Sequence, residues 1–151
     1  MRAQSRLLLL TCFWLLGVDH WVAPPQAMAD AGLTLEVSVT GFKRAGGELA
    51  LALFDSEAAY EAREPAIRKA WVPVVDGRAR WTVGNLPAGE YTVIAYHDEN
   101  SNRELDFRLF GIPKEKVGIS NNVRGAFGPP SFERAKFALT QPLTSIDIEL
   151  Q

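Results

Sequence analysis

Short runs in which apolar and polar residues alternate constrain the fold of this chain more than any other feature. Residues 33–40 read Leu-Thr-Leu-Glu-Val-Ser-Val-Thr, and residues 145–150 read Ser-Ile-Asp-Ile-Glu-Leu. Successive side chains of a β-strand point to opposite faces, so a period of two predicts strands with one buried and one solvated face. Residues 47–54 are largely apolar on both faces, which predicts a covered, central strand.

Turn residues divide the rest of the chain into further short strands. Four more are predicted, over residues 71–75, 78–83, 90–97 and 134–139. Asp76-Gly77 is a two-residue hairpin signal, because both central positions of such a turn need positive φ. Helix is predicted only over residues 56–63. Seven short strands predict an all-β chain, built as a two-sheet antiparallel sandwich of the immunoglobulin-like kind.

A tyrosine that follows a tight turn strengthens the sandwich prediction. Residues 86–91 read Leu-Pro-Ala-Gly-Glu-Tyr. A Tyr that enters a strand just after such a turn can donate a hydrogen bond back to the loop, as in the tyrosine corner of sandwich domains. Tyr91 is therefore predicted to be a core aromatic, with or without that bond.

The first 29 residues have the composition of a secretory signal peptide. Arg2 and Arg6 precede an apolar run over residues 7–18, and Ala27-Met28-Ala29 places small residues at the first and third positions before a cleavage site. The run is shorter than the roughly 20 residues that span a bilayer, which argues against stable membrane insertion. We therefore expect residues 30–151 to form one exported domain, periplasmic or secreted.

Composition limits the chemistry of this predicted domain. Residues 30–151 contain no cysteine and a single histidine, His97. A thiolate nucleophile and a Cys-based zinc site are therefore excluded. Removing the two arginines and one aspartate of the signal peptide from 16 basic and 18 acidic residues leaves a net charge of −3. That charge, without a basic stripe, argues against nucleic acid and anionic lipid as partners.

Residues 98–133 do not fit the strand pattern. Structureless loops of more than about 15 residues are uncommon in compact domains, and are usually functional or disordered. The large apolar residues of this segment are too dense for disorder. We expect an ordered excursion, anchored to the sandwich by Phe107, Phe110, Ile112, Val117, Ile119, Val123, Phe127 and Phe132.

The excursion opens with side-chain oxygens at alternate positions. These are Asp98, Asn100 and Asn102, followed by Asp106, and a backbone carbonyl near Glu104 is a further candidate. Calcium binds six to eight oxygen ligands, so the spacing resembles the start of a calcium loop. A polar turn, in which Asp and Asn accept hydrogen bonds from nearby backbone N–H groups, is the alternative interpretation.

Two positions in the loop depart from known calcium loops. Arg103 stands where such loops usually have Gly, and Leu109 stands where an EF-hand places its bidentate Glu. The segment is therefore not an EF-hand, and Asp106 would have to close the site.

Catalytic and ligand-binding candidates also lie in the excursion. His97 beside Asp98, with Glu115 further on, supplies groups for general acid–base chemistry, because histidine titrates near neutral pH. A structural hydrogen-bonding residue at a strand end is the alternative interpretation of His97, and the sequence favours it. Phe127 and Phe132 could present their rings to a ligand or anchor the loop. No Gly-x-Ser-x-Gly elbow is present, and the sequence points to no particular reaction.

Several segments together resemble the DUF2141 family of exported bacterial proteins. They are residues 86–91, His97-Asp98-Glu99-Asn100, Asp106, Gly111-Ile112-Pro113, Ser120-Asn121-Asn122 and the Phe-Gly-Pro-Pro-Ser-Phe run at residues 127–132. The resemblance extends over about residues 33–150. It implies export and a transthyretin-like, or prealbumin-like, sandwich, and it implies no established activity.

Three functional hypotheses follow, and the sequence favours the first. It is an uncharacterised exported binding or structural module, more consistent with a non-enzyme, whose loop binds a divalent cation, with calcium as the expected ion. The second is a small-molecule hydrolase or isomerase that uses His97 and Asp98 in a loop pocket. The third is a protein-interaction module that acts through a sheet edge or through Phe127 and Phe132.

Overall fold

The computed structural model describes residues 32–109, 112–126 and 128–151. The predicted signal peptide, Phe110, Gly111 and Phe127 lie outside these residues. None of the helices in the described ranges is long and apolar enough to cross a membrane. The elements are β1 (Leu33–Thr40), β2 (Glu48–Phe54), α1 (Glu57–Ala62), β3 (Arg68–Pro73), β4 (Ala79–Leu86), β5 (Gly89–Asp98), β6 (Val117–Ile119), α2 (Phe132–Ala135), β7 (Phe137–Leu139) and β8 (Leu143–Glu149).

The strands form two sheets, which confirms the predicted all-β sandwich. One sheet has the order β4-β1-β8, and the other has the order β3-β2-β5-β6, with β7 paired to the start of β5. One pair departs from the antiparallel prediction, because β1 and β8 run parallel with Val37 opposite Ile146. Parallel neighbours need a long crossover connection. Here the whole chain between residues 41 and 142 makes that connection.

Two apolar cores explain why β2 is apolar on both faces. The core between the sheets joins the inward residues of β1, β2 and β5, including Leu35, Val37, Leu49, Leu51, Leu53 and Val93. The outer face of β2 carries Phe54, which packs in a second core with Tyr60 of α1 and Phe132 of α2. The two helices therefore cover part of the outer face of the larger sheet.

The Asp76-Gly77 turn forms as predicted but connects different sheets. Asp76 and Gly77 have φ of 51° and 68°, and Val75 and Arg78 exchange both backbone hydrogen bonds at 2.9 and 3.0 Å. However, β3 pairs with β2, and β4 pairs with β1. The predicted hairpin between two strands of one sheet is therefore wrong. A local turn signal cannot show which sheet each flanking strand joins.

The predicted strand over residues 134–139 is wrong in its first half. Its first two residues belong to α2, and only the last three pair with β5 as β7. Ala135 is fully buried, and its carbonyl accepts a 2.7 Å hydrogen bond from Ser120 Oγ. The same Oγ accepts a 3.1 Å hydrogen bond from Val93 N–H of β5. This tertiary contact fixes α2 against the sheet, and the local sequence pattern does not reveal it.

The excursion is anchored by only some of the predicted apolar residues. Ile119 and Phe132 are buried, at 9% and 5% exposure, as predicted. Phe107 and Ile112 are each 59% exposed, so their predicted role as anchors is wrong. Both belong to a small hairpin in which the backbone of residues 106–108 pairs with that of residues 112–114.

The structure contains the predicted tyrosine corner. Tyr91 is 2% exposed, and its hydroxyl donates a 2.7 Å hydrogen bond to the Pro87 carbonyl. Tyr91→Phe removes this bond and keeps the ring, so we expect the free energy of unfolding to fall by about 0.5–1.5 kcal/mol. Urea denaturation would measure this loss of stability, and the dependence of the unfolding free energy on urea concentration should stay unchanged. A variant as stable as wild type would show that the bond contributes nothing.

Candidate functional site

The end of β5 directs His97 and Asp98 to opposite faces of the five-stranded sheet. They lie opposite Leu49 and Glu48 of β2, and successive strand side chains alternate between faces. His97 shares the inward face of β5, whereas Asp98 lies on the outer face where the loop begins. The structure therefore separates the two residues that the sequence paired as catalytic candidates.

The surroundings of His97 give it a structural role. The ring is fully buried, its Nε2 donates a 2.8 Å hydrogen bond to the Gly46 carbonyl, and it packs edge-on against Phe42. Its Nδ1 has no hydrogen-bond partner in the part of the chain that the structure describes. At Gly47, a Cβ would lie 2.6 Å from the Asp98 carbonyl and 2.9 Å from His97 Nε2. His97 thus holds the turn before β2 closely against the end of β5.

The carboxylate of Asp98 organises the start of the loop. Asp98 is fully buried, and its Oδ1 accepts a 3.2 Å hydrogen bond from Asn102 N–H. Its Oδ2 accepts a 2.7 Å hydrogen bond from Arg103 N–H. Each carboxylate oxygen has two lone pairs, so both oxygens retain capacity for a further ligand.

Three of the predicted metal ligands, Asp98, Asn100 and Asp106, form one hydrogen-bonded cluster. Asn100 Oδ1 accepts from Asn102 N–H at 3.0 Å, so the oxygens of Asp98 and Asn100 converge on a single N–H group. Asn100 Nδ2 donates to Asp106 Oδ2 at 2.8 Å. The side chain of Asn102 instead accepts from Glu104 N–H at 2.8 Å, and so belongs to the neighbouring turn.

Glu115 closes the loop from the other side. It is 6% exposed, and its two oxygens accept hydrogen bonds from Glu99 N–H at 2.9 Å and from Asp106 N–H at 3.3 Å. The sequence predicted Glu115 as a catalytic candidate and not as a metal ligand. Its position shortly after Gly111-Ile112-Pro113 is the one feature of the sequence that marks Glu115 as a residue of this loop.

Arg103 takes the backbone conformation that Gly usually supplies in calcium loops. Its φ is 63°, in the left-handed region that disfavours residues with a Cβ. Its guanidinium lies 5.6 Å from the centre of the Trp71 ring, and its Nε lies 3.9 Å from Glu48 Oε2. These contacts help to hold the strained residue, so the departure at Arg103 leaves the tight loop path intact.

The loop concentrates buried negative charge. In residues 32–109, 112–126 and 128–151, no Lys, Arg or His nitrogen forms an ion pair with Asp98 or Glu115. Burial, followed by the charges of Asp98 and Glu115, raises the pKa of the nearby Tyr96 phenol. Removing carboxylates from water is costly unless they are paired, so a cation bound here would offset that cost.

The donor set differs from that of a zinc-type site. Among the residues the structure describes, no three His, Cys, Asp or Glu side chains are grouped so that they could hold a metal ion. Calcium does not require such a group, because amide, backbone carbonyl and water oxygens complete its coordination.

The remaining candidates lie away from this loop. Phe132 packs in the second core, with its ring centre 6.0 Å from that of Tyr60, so it is placed as an anchor rather than as an exposed ligand contact. Phe127 lies outside the described residues. The edge strand β3 carries an exposed Lys69 and ends at Pro73, and both features discourage pairing with another chain.

Comparison with known proteins agrees with the resemblance found in the sequence. The model of a family described as "Uncharacterized protein conserved in bacteria (DUF2141)" matches residues 37–147. No curated protein and no solved structure matches the chain. The match begins within β1, ends within β8 and includes the whole loop, while the transthyretin-like arrangement remains a prediction.

Proposed function

This chain belongs to the DUF2141 family, and we propose that it is a non-enzymatic, exported module whose loop at residues 98–106 binds one calcium ion. The observation that carries the proposal is the burial of two carboxylates, Asp98 and Glu115, against one loop. Neither has a cationic partner in the described part of the chain. Both carboxylates accept hydrogen bonds only from backbone N–H groups in the described residues, and a divalent cation would neutralise their charges.

The available donors suit calcium better than other common ions. The carboxylates of Asp98, Asp106 and Glu115 are hard oxygen ligands, but the structure does not group them around one point, so the proposal requires them to close around the ion. The Asn100 amide oxygen, a main-chain carbonyl near Glu104 and water would complete the shell. Calcium accepts six to eight such ligands in flexible geometry, whereas Mg²⁺ demands near-ideal octahedral geometry and keeps several waters. Zinc sites usually include His or Cys, which this loop lacks.

The proposed role of the ion is to order the excursion. The loop connects the end of β5 to the hairpin at residues 106–114, and Glu115 links both ends of the loop through Glu99 and Asp106. A cation held between Asp98 and Glu115 would fix the base of that hairpin. Calcium sites in extracellular modules work at roughly 10⁻⁴–10⁻³ M, which suits the predicted export of the chain.

The other two hypotheses draw less support from the contacts. An acid–base pair needs its groups within reach of one substrate, and His97 is buried on the face opposite to Asp98. The interaction hypothesis relied partly on Phe132, which lies in the second core. Calcium binding is therefore the proposal with a specific structural observation behind it.

Calorimetric titration of calcium into the protein should show one site, and Asp106→Asn should weaken it. The amide oxygen of Asn can still accept from Asn100 Nδ2, so stability in EDTA should change by less than about 0.5 kcal/mol. Loss of one ligand charge should weaken calcium binding roughly tenfold, equivalent to about 1.4 kcal/mol.

Asp147→Asn is the matched control for this experiment. It removes the same charge from an exposed position on β8 and should leave calcium affinity within about twofold of wild type, because surface charges are screened by salt. Wild-type protein that binds no calcium at millimolar concentration would contradict the proposed function. Equal weakening by both variants would show that Asp106 acts only through net charge.

A further inference from the structure

The hairpin beside the proposed calcium loop exposes a concentrated group of large apolar side chains. Phe107 and Ile112 are each 59% exposed, and Leu109 is 82% exposed. The base of the hairpin is held by backbone hydrogen bonds from Arg108 N–H to the Ile112 carbonyl at 2.7 Å and from Lys114 N–H to the Asp106 carbonyl at 2.8 Å. We call Phe107, Leu109 and Ile112, with Arg108 and Lys114, the apolar tip.

The apolar tip is unlike the other exposed apolar residues of the described chain. Trp71 on β3, Val75 in the turn between β3 and β4, and Leu143 on β8 are 38%, 62% and 53% exposed. Single exposed apolar residues are normal, whereas several together usually mark a contact surface. The three tip residues lie within six positions of one another, on a hairpin that joins neither core. They therefore form a contact surface that the fold itself does not use.

The charges of the side chains around the apolar tip indicate the kind of surface to which it would bind. Residues 107–114 include two basic side chains, Arg108 and Lys114, and no acidic one. Over residues 98–116 there are five acidic and four basic side chains, a net charge of −1. One bound calcium ion would change this to +1. The whole-chain charge argues against anionic lipid, but the local charge becomes favourable when the loop is loaded.

We propose that the apolar tip docks reversibly on an anionic lipid bilayer when the loop holds calcium, an inference that rests on the proposed function. A projecting hairpin with apolar side chains flanked by basic ones can insert those side chains at the lipid–water boundary, while its cations contact the anionic headgroups. Calcium would remove the repulsion between the acidic loop and the same headgroups and would fix the base of the hairpin.

Sedimentation with lipid vesicles tests the proposal on protein purified from cells that express the full chain. The vesicles contain phosphatidylcholine alone or phosphatidylcholine and phosphatidylglycerol in equal parts, with calcium, magnesium or EDTA. We expect roughly tenfold more binding to the anionic vesicles in calcium than in EDTA or magnesium. Leu109→Ser should reduce this binding roughly tenfold, and Leu143→Ser, an exposed Leu on β8, should not change it.

Calcium titration of the same samples separates failure of docking from failure of the proposed function. Protein that binds calcium but not vesicles would overturn docking and leave the calcium site standing. Equal vesicle binding in EDTA would overturn the dependence on calcium, and equal losses in Leu109→Ser and Leu143→Ser would overturn the assignment to the apolar tip. Calcium-dependent sedimentation without vesicles would show that a second copy of the chain, rather than lipid, covers the tip.

Discussion

Calcium at a hundredfold excess over its dissociation constant should raise the melting temperature of this protein by about 10 °C relative to EDTA. A ligand that binds only the folded state at that excess stabilises it by about 2.7 kcal/mol. For a domain of this size each kcal/mol corresponds to roughly 3–5 °C. Thermal unfolding followed by circular dichroism would measure the rise, with an equal concentration of magnesium as the control for ionic strength.

The calcium-induced rise should disappear in Asp98→Ala. This variant also loses the acceptor of two N–H groups, at Asn102 and Arg103, so its melting temperature in EDTA should already be lower. Tyr91→Phe is the matched control, because it is destabilised through the tyrosine corner and should keep the full calcium shift. Identical melting temperatures of wild type in calcium and EDTA would mean that the Asp/Asn run is only a polar turn.

The parts of the fold that depend on local pattern could be predicted from the sequence. The alternating residues of β1 and β8, the apolar β2 and the hydrogen-bonding Tyr91 all reflect local spacing and burial. The parallel pairing of β1 with β8 joins opposite ends of the domain. Such a contact leaves no local trace, because either direction of β8 buries the same alternate side chains.

The candidate site also has parts that the sequence predicts and parts that depend on distant contacts. The spacing of Asp98, Asn100 and Asp106 predicted a cluster, and their side chains do come together. Glu115 could not be assigned to the cluster from spacing, because the hairpin of residues 106–114 must fold back before its carboxylate reaches Glu99 N–H. The separation of His97 from Asp98 depends on β5 continuing through both residues, and the sequence prediction ended that strand at His97.

Glu115→Gln should weaken calcium binding roughly 100-fold, equivalent to about 2.8 kcal/mol. The substitution replaces a buried carboxylate that could bind the ion through both oxygens with an amide that has one oxygen and no charge. It should also lower stability in EDTA by about 1–3 kcal/mol, because either Glu99 N–H or Asp106 N–H loses its acceptor. Calorimetric titration and urea denaturation measure the two effects separately.

Glu99→Gln provides a matched comparison within the same loop. Its carboxylate pairs with the exposed Arg44 at 3.6 Å, so this variant removes an equal charge close to the proposed ion without removing a proposed ligand. We expect less than about a threefold loss of calcium affinity, because the charge of Glu99 is already balanced by Arg44. Equal losses of calcium affinity in Glu99→Gln and Glu115→Gln would mean that the loop attracts calcium only through its net charge. A large loss of calcium affinity confined to Glu115→Gln would show that the buried carboxylate, rather than the net charge of the loop, supports calcium binding.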